Sequence, residues 1–173
     1  HYVYLFLDGI MLKVKTGAGA RKKAVLVAYG ITREGKRELI DFLVTKSESM
    51  HTWEGFLLNL FNRGLTGTML QLIVTDGHQG LMNAVDLTYP GIARQRCWAH
   101  KLRNVSNYLR KKDTDMCIKE ARGIYNAQNR KEALEAYDKW SKKWKSISSE
   151  AVNCIEKDLE ELGKLLKSKC GTG

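Results

Sequence analysis

Cysteine is scarce and unpaired in this chain of 173 residues: Cys97, Cys117, Cys154 and Cys170 are scattered, and no two form a C-x-x-C pair. A disulfide scaffold is not expected from so few in a chain long enough to bury its own core. The four read as reduced thiols of an intracellular protein. No run of 18 or more apolar residues occurs, so a membrane partner is not expected either. A signal peptide is not expected at this start. The opening HYVYLFLDGIMLKVK is apolar, but Asp8 interrupts it and it alternates as a strand does. An initiator Met is lacking, and a strand core begins by residue 2, which suggests a fragment of something longer. Acidic residues are outnumbered: 19 Asp and Glu face 29 Lys and Arg, for a net charge of +10. Such an excess favours a polyanionic partner, because each neutralised phosphate releases a counterion. What remains is ordinary for a globular domain, with 43% hydrophobic and 28% charged residues.

Residues 2–8 read as a buried strand ended by Asp8-Gly9, and 10–15 as a half-exposed strand in which Ile10, Leu12 and Val14 alternate with Met11, Lys13 and Lys15. Local pattern leaves open whether Asp8-Gly9 is a tight turn or a bend. Residues 17–23 form a loop with the basic cluster Arg21, Lys22 and Lys23, and strands follow at 24–31 and 37–44, so the first part reads as an antiparallel meander. The period then changes. Trp53, Phe56, Leu57, Leu60 and Phe61 recur at helical spacing over 52–63, with Thr52 as N-cap and Gly64 and Gly67 closing the helix. Residues 70–75 form a near-continuous apolar strand ending in Asp76-Gly77; a short helix covers 78–85 and a strand 92–97. A single basic amphipathic helix is expected over 98–112. Beyond Asp113 the pattern is helical throughout, at 115–127, 130–145 and 149–169.

Asp8 and Asp76 each end an apolar run and each precede a glycine. An acid just past a buried strand stands at the sheet rim, where α/β architectures bind ligands. The glycine leaves room for a turn or a close-lying substrate. If the two strands are neighbours, the carboxylates converge and repel unless a cation sits between them, and hard oxygen donors favour Mg2+ or Mn2+. The plainer reading is two Asp-Gly turns. Weight is added by Arg94, Arg96, Lys101, Arg103, Arg110, Lys111 and Lys112, seven cations between residues 94 and 112 with no acid among them. Such a segment suits a phosphate backbone, with Arg94, Arg96, Lys101 and Arg103 as the contacts, while Trp98, Leu102, Val105 and Leu109 suit a core. Cys97 and His100 lie three apart, but a structural zinc site needs four ligands and no second pair is visible, so no zinc is expected. His51 reads as structural, and His78 as solvent-facing or, being near Asp76, as helping to orient the site.

Together, Tyr4-Leu5-Phe6-Leu7-Asp8-Gly9, the turn at 30–36, the run Ile73 through Leu81 (IVTDGHQGL) and the run Gln95 through Val105 (QRCWAHKLRNV) resemble the Mutator-like and IS256-type transposases. The last run matches that group's Cys-x-x-His signature. The resemblance implies a ribonuclease-H-like fold of the α/β class, a mixed five-stranded sheet with flanking helices, followed by an all-helical insertion. Residues 1–112 would be the catalytic core and 113–173 the insertion region. It further implies a triad of two aspartates and a distant glutamate holding two Mg2+ or Mn2+ ions, with Asp8 as the first carboxylate and Asp76 the second. Cys97 and His100 would support the site. The partner implied is DNA, both element ends and target, bound by a homo-oligomer in the cytoplasm at the nucleoid.

The chain departs from a complete enzyme of that kind. No Thr-Thr-Asn-type stretch precedes a glutamate before Gly173, and the segment 98–112 carries no acid, so the third carboxylate is not identified. A truncated catalytic domain, inactive alone, is the expectation. Two rivals stand beside it: a ribonuclease-H-like nuclease that only hydrolyses, and a domesticated DNA-binding protein without catalysis.

Overall fold

A computed structural model describes residues 1–17, 19–156 and 159. The chain divides into two compact units, His1–Gln95 and Arg96–Gly173.

The first unit is built on a sheet of five strands: β1 (Tyr2–Thr16), β2 (Gly19–Thr32), β3 (Arg37–Thr45), β4 (Leu72–Thr75) and β5 (Ala93–Arg96), in the order β3-β2-β1-β4-β5. The sheet is mixed. β1 runs antiparallel to β2, and β2 to β3, while β1 and β4 are parallel. Two helices, α1 (Met50–Asn62) and α2 (Gln79–Thr88), supply the connections around β4.

Alternation in β2 shows which face is covered. Ala24, Leu26, Ala28 and Gly30 are buried, and the residues between them are half-buried. The buried parity joins Leu5, Leu7 and Ile73 in one cluster with Trp53, Phe56, Leu57 and Leu60 of α1 and Leu81, Ala84 and Val85 of α2. Fully burying a side chain of the Leu or Phe class contributes about 1.5–3 kcal/mol, so this layer is the unit's main cohesive term. α1 starts one turn earlier than its apolar periodicity suggests. Ser49 is the N-cap, and Thr52 returns the favour as the third residue of a capping box.

β1 is continuous through Asp8 and Gly9, so neither a turn nor a second strand begins there. Its far half does not behave as a half-buried strand. Ile10, Met11, Leu12 and Val14 are all exposed, on both parities, and β3, which pairs with β2 over residues 24–31, borders this half of β1 only as far as Met11. Residues 17–23, expected as a loop, mostly belong to β2.

The second unit is helical: α3 (Trp98–Ser106), α4 (Lys111–Tyr125), α5 (Arg130–Trp144) and α6 (Ser149–Glu156). The expected single helix over 98–112 is broken. After Ser106 the backbone tightens into i→i−3 hydrogen bonds from Asn107, Tyr108 and Leu109, and Arg110 restarts the helix as the N-cap of α4. The Ser106 hydroxyl, donating to the Arg103 carbonyl at 2.6 Å, competes for the backbone at that point. Three tryptophans, Trp98, Trp140 and Trp144, anchor the core of this unit around Cys117, Ile124 and Ile155. Trp140 donates its indole N–H to the Cys117 carbonyl and Trp144 donates to Glu120. The last expected helix is seen over 149–156; most of its remainder, with Cys170, lies outside the described residues. No helix among the described residues is long and apolar enough to cross a membrane.

Candidate active site

The parallel pairing of β1 with β4 sets Leu7 opposite Thr75. One step further along both strands stand Asp8 and Asp76. Neighbouring strands lie about 4.8 Å apart, so the two aspartates occupy adjacent positions at the same level of the sheet. Leu7 and Thr75 are both buried toward the helices, which turns Asp8 to the other face by the alternation of the strand. The Asp8 Oδ1 atom is out of reach of solvent, although the residue as a whole is half-buried.

The two Asp-Gly pairs are alike in sequence and different in structure. Asp76-Gly77 lies in the link between β4 and α2. Gly77 has φ +88°, in the left-handed region that favours glycine, and its N–H donates to the Thr75 hydroxyl at 3.3 Å. The following N–H, of His78, donates to Asp76 Oδ1 at 2.8 Å. That bond fixes one carboxylate oxygen of Asp76 and leaves the other for a ligand. His78 in turn caps α2, its Nδ1 accepting from the Leu81 N–H at 3.4 Å.

Asp8-Gly9 is mid-strand. Here glycine answers a need for space: a Cβ on Gly9 would lie 2.5 Å from the Oε2 and Cδ of Glu48. The Glu48 side chain is 13% exposed and accepts the indole N–H of Trp53 at 2.8 Å. Its Oε1 is 3.7 Å from His78 Nδ1, beyond hydrogen-bond reach. Glu48 is the group that sequence reading missed. It lies in the short link between β3 and α1, where nothing in the local pattern marks it, and it stands on the helix side of the sheet rather than beside the Asp8 side chain. Among the described residues no three His, Cys, Asp or Glu side chains group as a metal site.

The basic residues separate. Arg94 is exposed and ion-pairs with Asp86 of α2. Arg96 closes β5 half-buried, with its Nε shielded from solvent. Arg103 is exposed on α3. Lys101, expected to meet phosphate, is 8% exposed, and its Nζ donates to the Cys154 carbonyl at 3.0 Å inside the helical unit. Cys97 is the N-cap position of α3 and makes no side-chain cap; His100 sits in the first turn, half-buried, with Nδ1 shielded. Tyr108 is exposed in the turn after α3, whereas Trp98 is buried against Tyr125.

The sequence profile described as Transposase, Mutator family, matches residues 1–167. The chain belongs to that family. A transposase for insertion sequence element ISRM5 from Rhizobium meliloti is 34% identical over 160 residues, which is 92% of this chain and 40% of that protein. The transposase for IS256 in transposon Tn4001 from Staphylococcus aureus is 35% identical over 136 residues, 79% of this chain and 34% of that protein. One for IS6120 from Mycolicibacterium smegmatis is 32% identical, with 96% of this chain and 50% of that protein covered. This Mutator-family chain therefore spans between about a third and a half of the length of these curated relatives. Among solved structures, a chain of the simian T-cell lymphotropic virus intasome in complex with the PP2A regulatory subunit B56 gamma aligns at TM-score 0.35 and 14% identity, over 76% of this chain and 46% of that one.

Proposed function

We propose that this Mutator-family chain is the part of a DNA transposase that carries the first two carboxylates of a DDE-type site, on a ribonuclease-H-like sheet. The observation carrying the reading is the Leu7–Thr75 pairing, one step beyond which Asp8 and Asp76 stand side by side. Two hard oxygen donors at that spacing suit Mg2+ or Mn2+, whose other positions water and substrate phosphate fill. Such ions, when bound, supply activation of the attacking oxygen and stabilisation of the leaving one. The chain's own residues do the holding. The His78 N–H fixes one Asp76 oxygen and so orients the other, and the buried Leu7 and Thr75 keep both aspartates level. On this reading the helical unit is the insertion that separates the last strand from the third carboxylate of the triad. The protein works on element ends and target DNA as a homo-oligomer at the nucleoid, with Arg103 free to meet phosphate.

The test uses the full-length protein with oligonucleotides that carry the element end. Asp8→Asn and Asp76→Asn should each abolish Mg2+-dependent cleavage, with the thermal melt unchanged. Cleavage retained by either variant would remove that residue from the site. Strand-transfer products from the unaltered protein, joined at the 3′-hydroxyl of the element end, distinguish a transposase from a nuclease that only hydrolyses.

A further inference from the structure

Past the last residue that β3 reaches, β1 and β2 continue as a two-stranded ribbon with which, among the described residues, no third strand pairs. In it Leu12 faces Lys23, Lys13 faces Lys22, Val14 faces Arg21 and Lys15 faces Ala20. Five cations thus crowd one short hairpin, and no Asp or Glu occurs between Asp8 and Glu34. Lys13, Lys15, Arg21 and Lys22 are exposed, Lys23 is half-exposed, and among the described residues no ion pair includes any of the five.

Such an arm is poor as pure architecture. A two-stranded ribbon is marginal in water by itself, and like charges directly opposite one another, as Lys13 and Lys22 are, destabilise a strand pair. Leu12 and Val14 are 46% and 41% exposed, so burial does not compensate. An anion held between the cations reverses the sign of the electrostatic term.

We propose that this hairpin arm is a DNA-binding element that enters a groove of the duplex and grips the phosphates on either side. Cross-strand partners share a face, so Arg21 and Lys23 lie on the Asp8 face, and Lys13, Lys15 and Lys22 on the opposite one. Cations on both faces match two phosphate walls; a membrane surface would engage one face and leave the other unneutralised. A two-stranded β-ribbon is also a shape that the major groove admits. Because β1 carries Asp8 and the arm without interruption, the reach is set by the strand. Lys13 and Lys15 stand five and seven residues beyond Asp8, or roughly 17–24 Å. At a rise of 3.4 Å per base pair, the arm grips about five to seven base pairs from the bond presented to Asp8.

This inference rests on the reading of the protein as a DNA transposase, and its test separates the two. Duplex binding by the full-length protein is measured against salt for three proteins. These are the unaltered protein, an arm variant (Lys13→Gln, Lys15→Gln, Arg21→Gln, Lys22→Gln), and a control with the same charge change on exposed lysines of the helical unit (Lys131→Gln, Lys139→Gln, Lys142→Gln, Lys145→Gln). Each lost phosphate contact lowers the slope of log K against log [salt] by about 0.9. The arm variant should lose about 2–4 in slope, and about 30-fold to 1,000-fold in affinity at 0.15 M salt for two to four contacts. Its melting temperature should hold or rise, since repulsion is relieved. Ethylation interference should vanish at phosphates about five to seven base pairs from the cut. Equal losses in arm and control variants reduce the effect to net charge and overturn the proposal. So does an unchanged slope in the arm variant, which leaves the arm to an acidic protein or lipid surface. The two readings fail separately: if Asp8→Asn still cuts while the arm variant loses binding, the catalytic reading fails and the arm stands.

Discussion

Gly9→Ala tests whether the glycine after Asp8 exists to make room for Glu48. The added methyl falls 2.5 Å from the Glu48 carboxyl carbon, so one of the two must move, and Gly9 is held in the β1–β2 ladder opposite Leu26. Glu48 is displaced, and its bond from the Trp53 indole is lost. A hydrogen bond to a charged group contributes about 1.5–3 kcal/mol, and Trp53, at 0% exposure, cannot replace it with water. Against this, alanine recovers about 0.5–1 kcal/mol of the entropy that a glycine loses in a strand. The net expectation is a loss of about 1–2 kcal/mol. Glu48→Ala alone should cost about 2 kcal/mol, from the same bond. The decisive measurement is the double-mutant cycle, by urea unfolding followed through fluorescence and circular dichroism. With Glu48 already truncated, Gly9→Ala should be neutral or stabilising. If Gly9→Ala costs the same in both backgrounds, the glycine is required for some other reason and the space argument is wrong.

The remaining expectations are narrower. Gly77→Ala should cost about 1–2 kcal/mol, because φ +88° is unfavourable for an L side chain; an unchanged urea midpoint would mean the turn relaxes freely. Burial pushes the Cys117 thiol up from 9.0 to about 11, so at pH 8 only about one in a thousand is thiolate. In native protein iodoacetamide should therefore spare Cys117 and label half-exposed Cys97, as read by peptide mass spectrometry. The sign follows for stability. A thiol pKa raised on folding stabilises fully below pH 9, and that contribution, on the order of 2 kcal/mol, is lost as pH rises toward 11. Tyr89, pushed up to about 12 by burial, extends the same alkaline loss. Lys101→Ala should destabilise the helical unit by about 1–3 kcal/mol and leave the salt slope of DNA binding by the full-length protein unchanged, whereas Arg103→Ala should lower that slope by about 1.

Most strands and helices were legible because their apolar periods are strong: the 53, 56, 57, 60 spacing of α1 and the unbroken 72–75 run of β4 admit few alternatives. Two of the failures share one cause, dependence on partners distant in sequence, and two others turn on local side-chain bonds. Alternation over 10–15 describes side-chain chemistry and says nothing of whether a layer covers one parity; here residues of both parities are exposed. A lysine on an amphipathic helix reads as a surface charge until a carbonyl 53 residues away accepts its proton, as Cys154 does for Lys101. The break between α3 and α4 carries no glycine or proline, and only the competing Ser106 hydroxyl betrays it. At the N-terminus of α1, Thr52 was the evident cap; the reciprocal bonds from Ser49 settle the boundary three residues earlier.

The aspartates show how far local chemistry reaches and where topology takes over. Two Asp-Gly pairs at the ends of apolar runs invite one explanation, yet Gly77 is fixed by its backbone angle and Gly9 by the carboxylate of Glu48 packed against it. Neither reason requires the aspartates to be neighbours. That follows from the parallel pairing of β1 with β4, which a crossover through β2, β3 and α1 permits and no short-range signal encodes. The same strand that delivers Asp8 to the level of Asp76 runs on into the basic ribbon. Position at the site and reach beyond it are therefore one geometric property of β1, and a change in its register against β4 would shift both together.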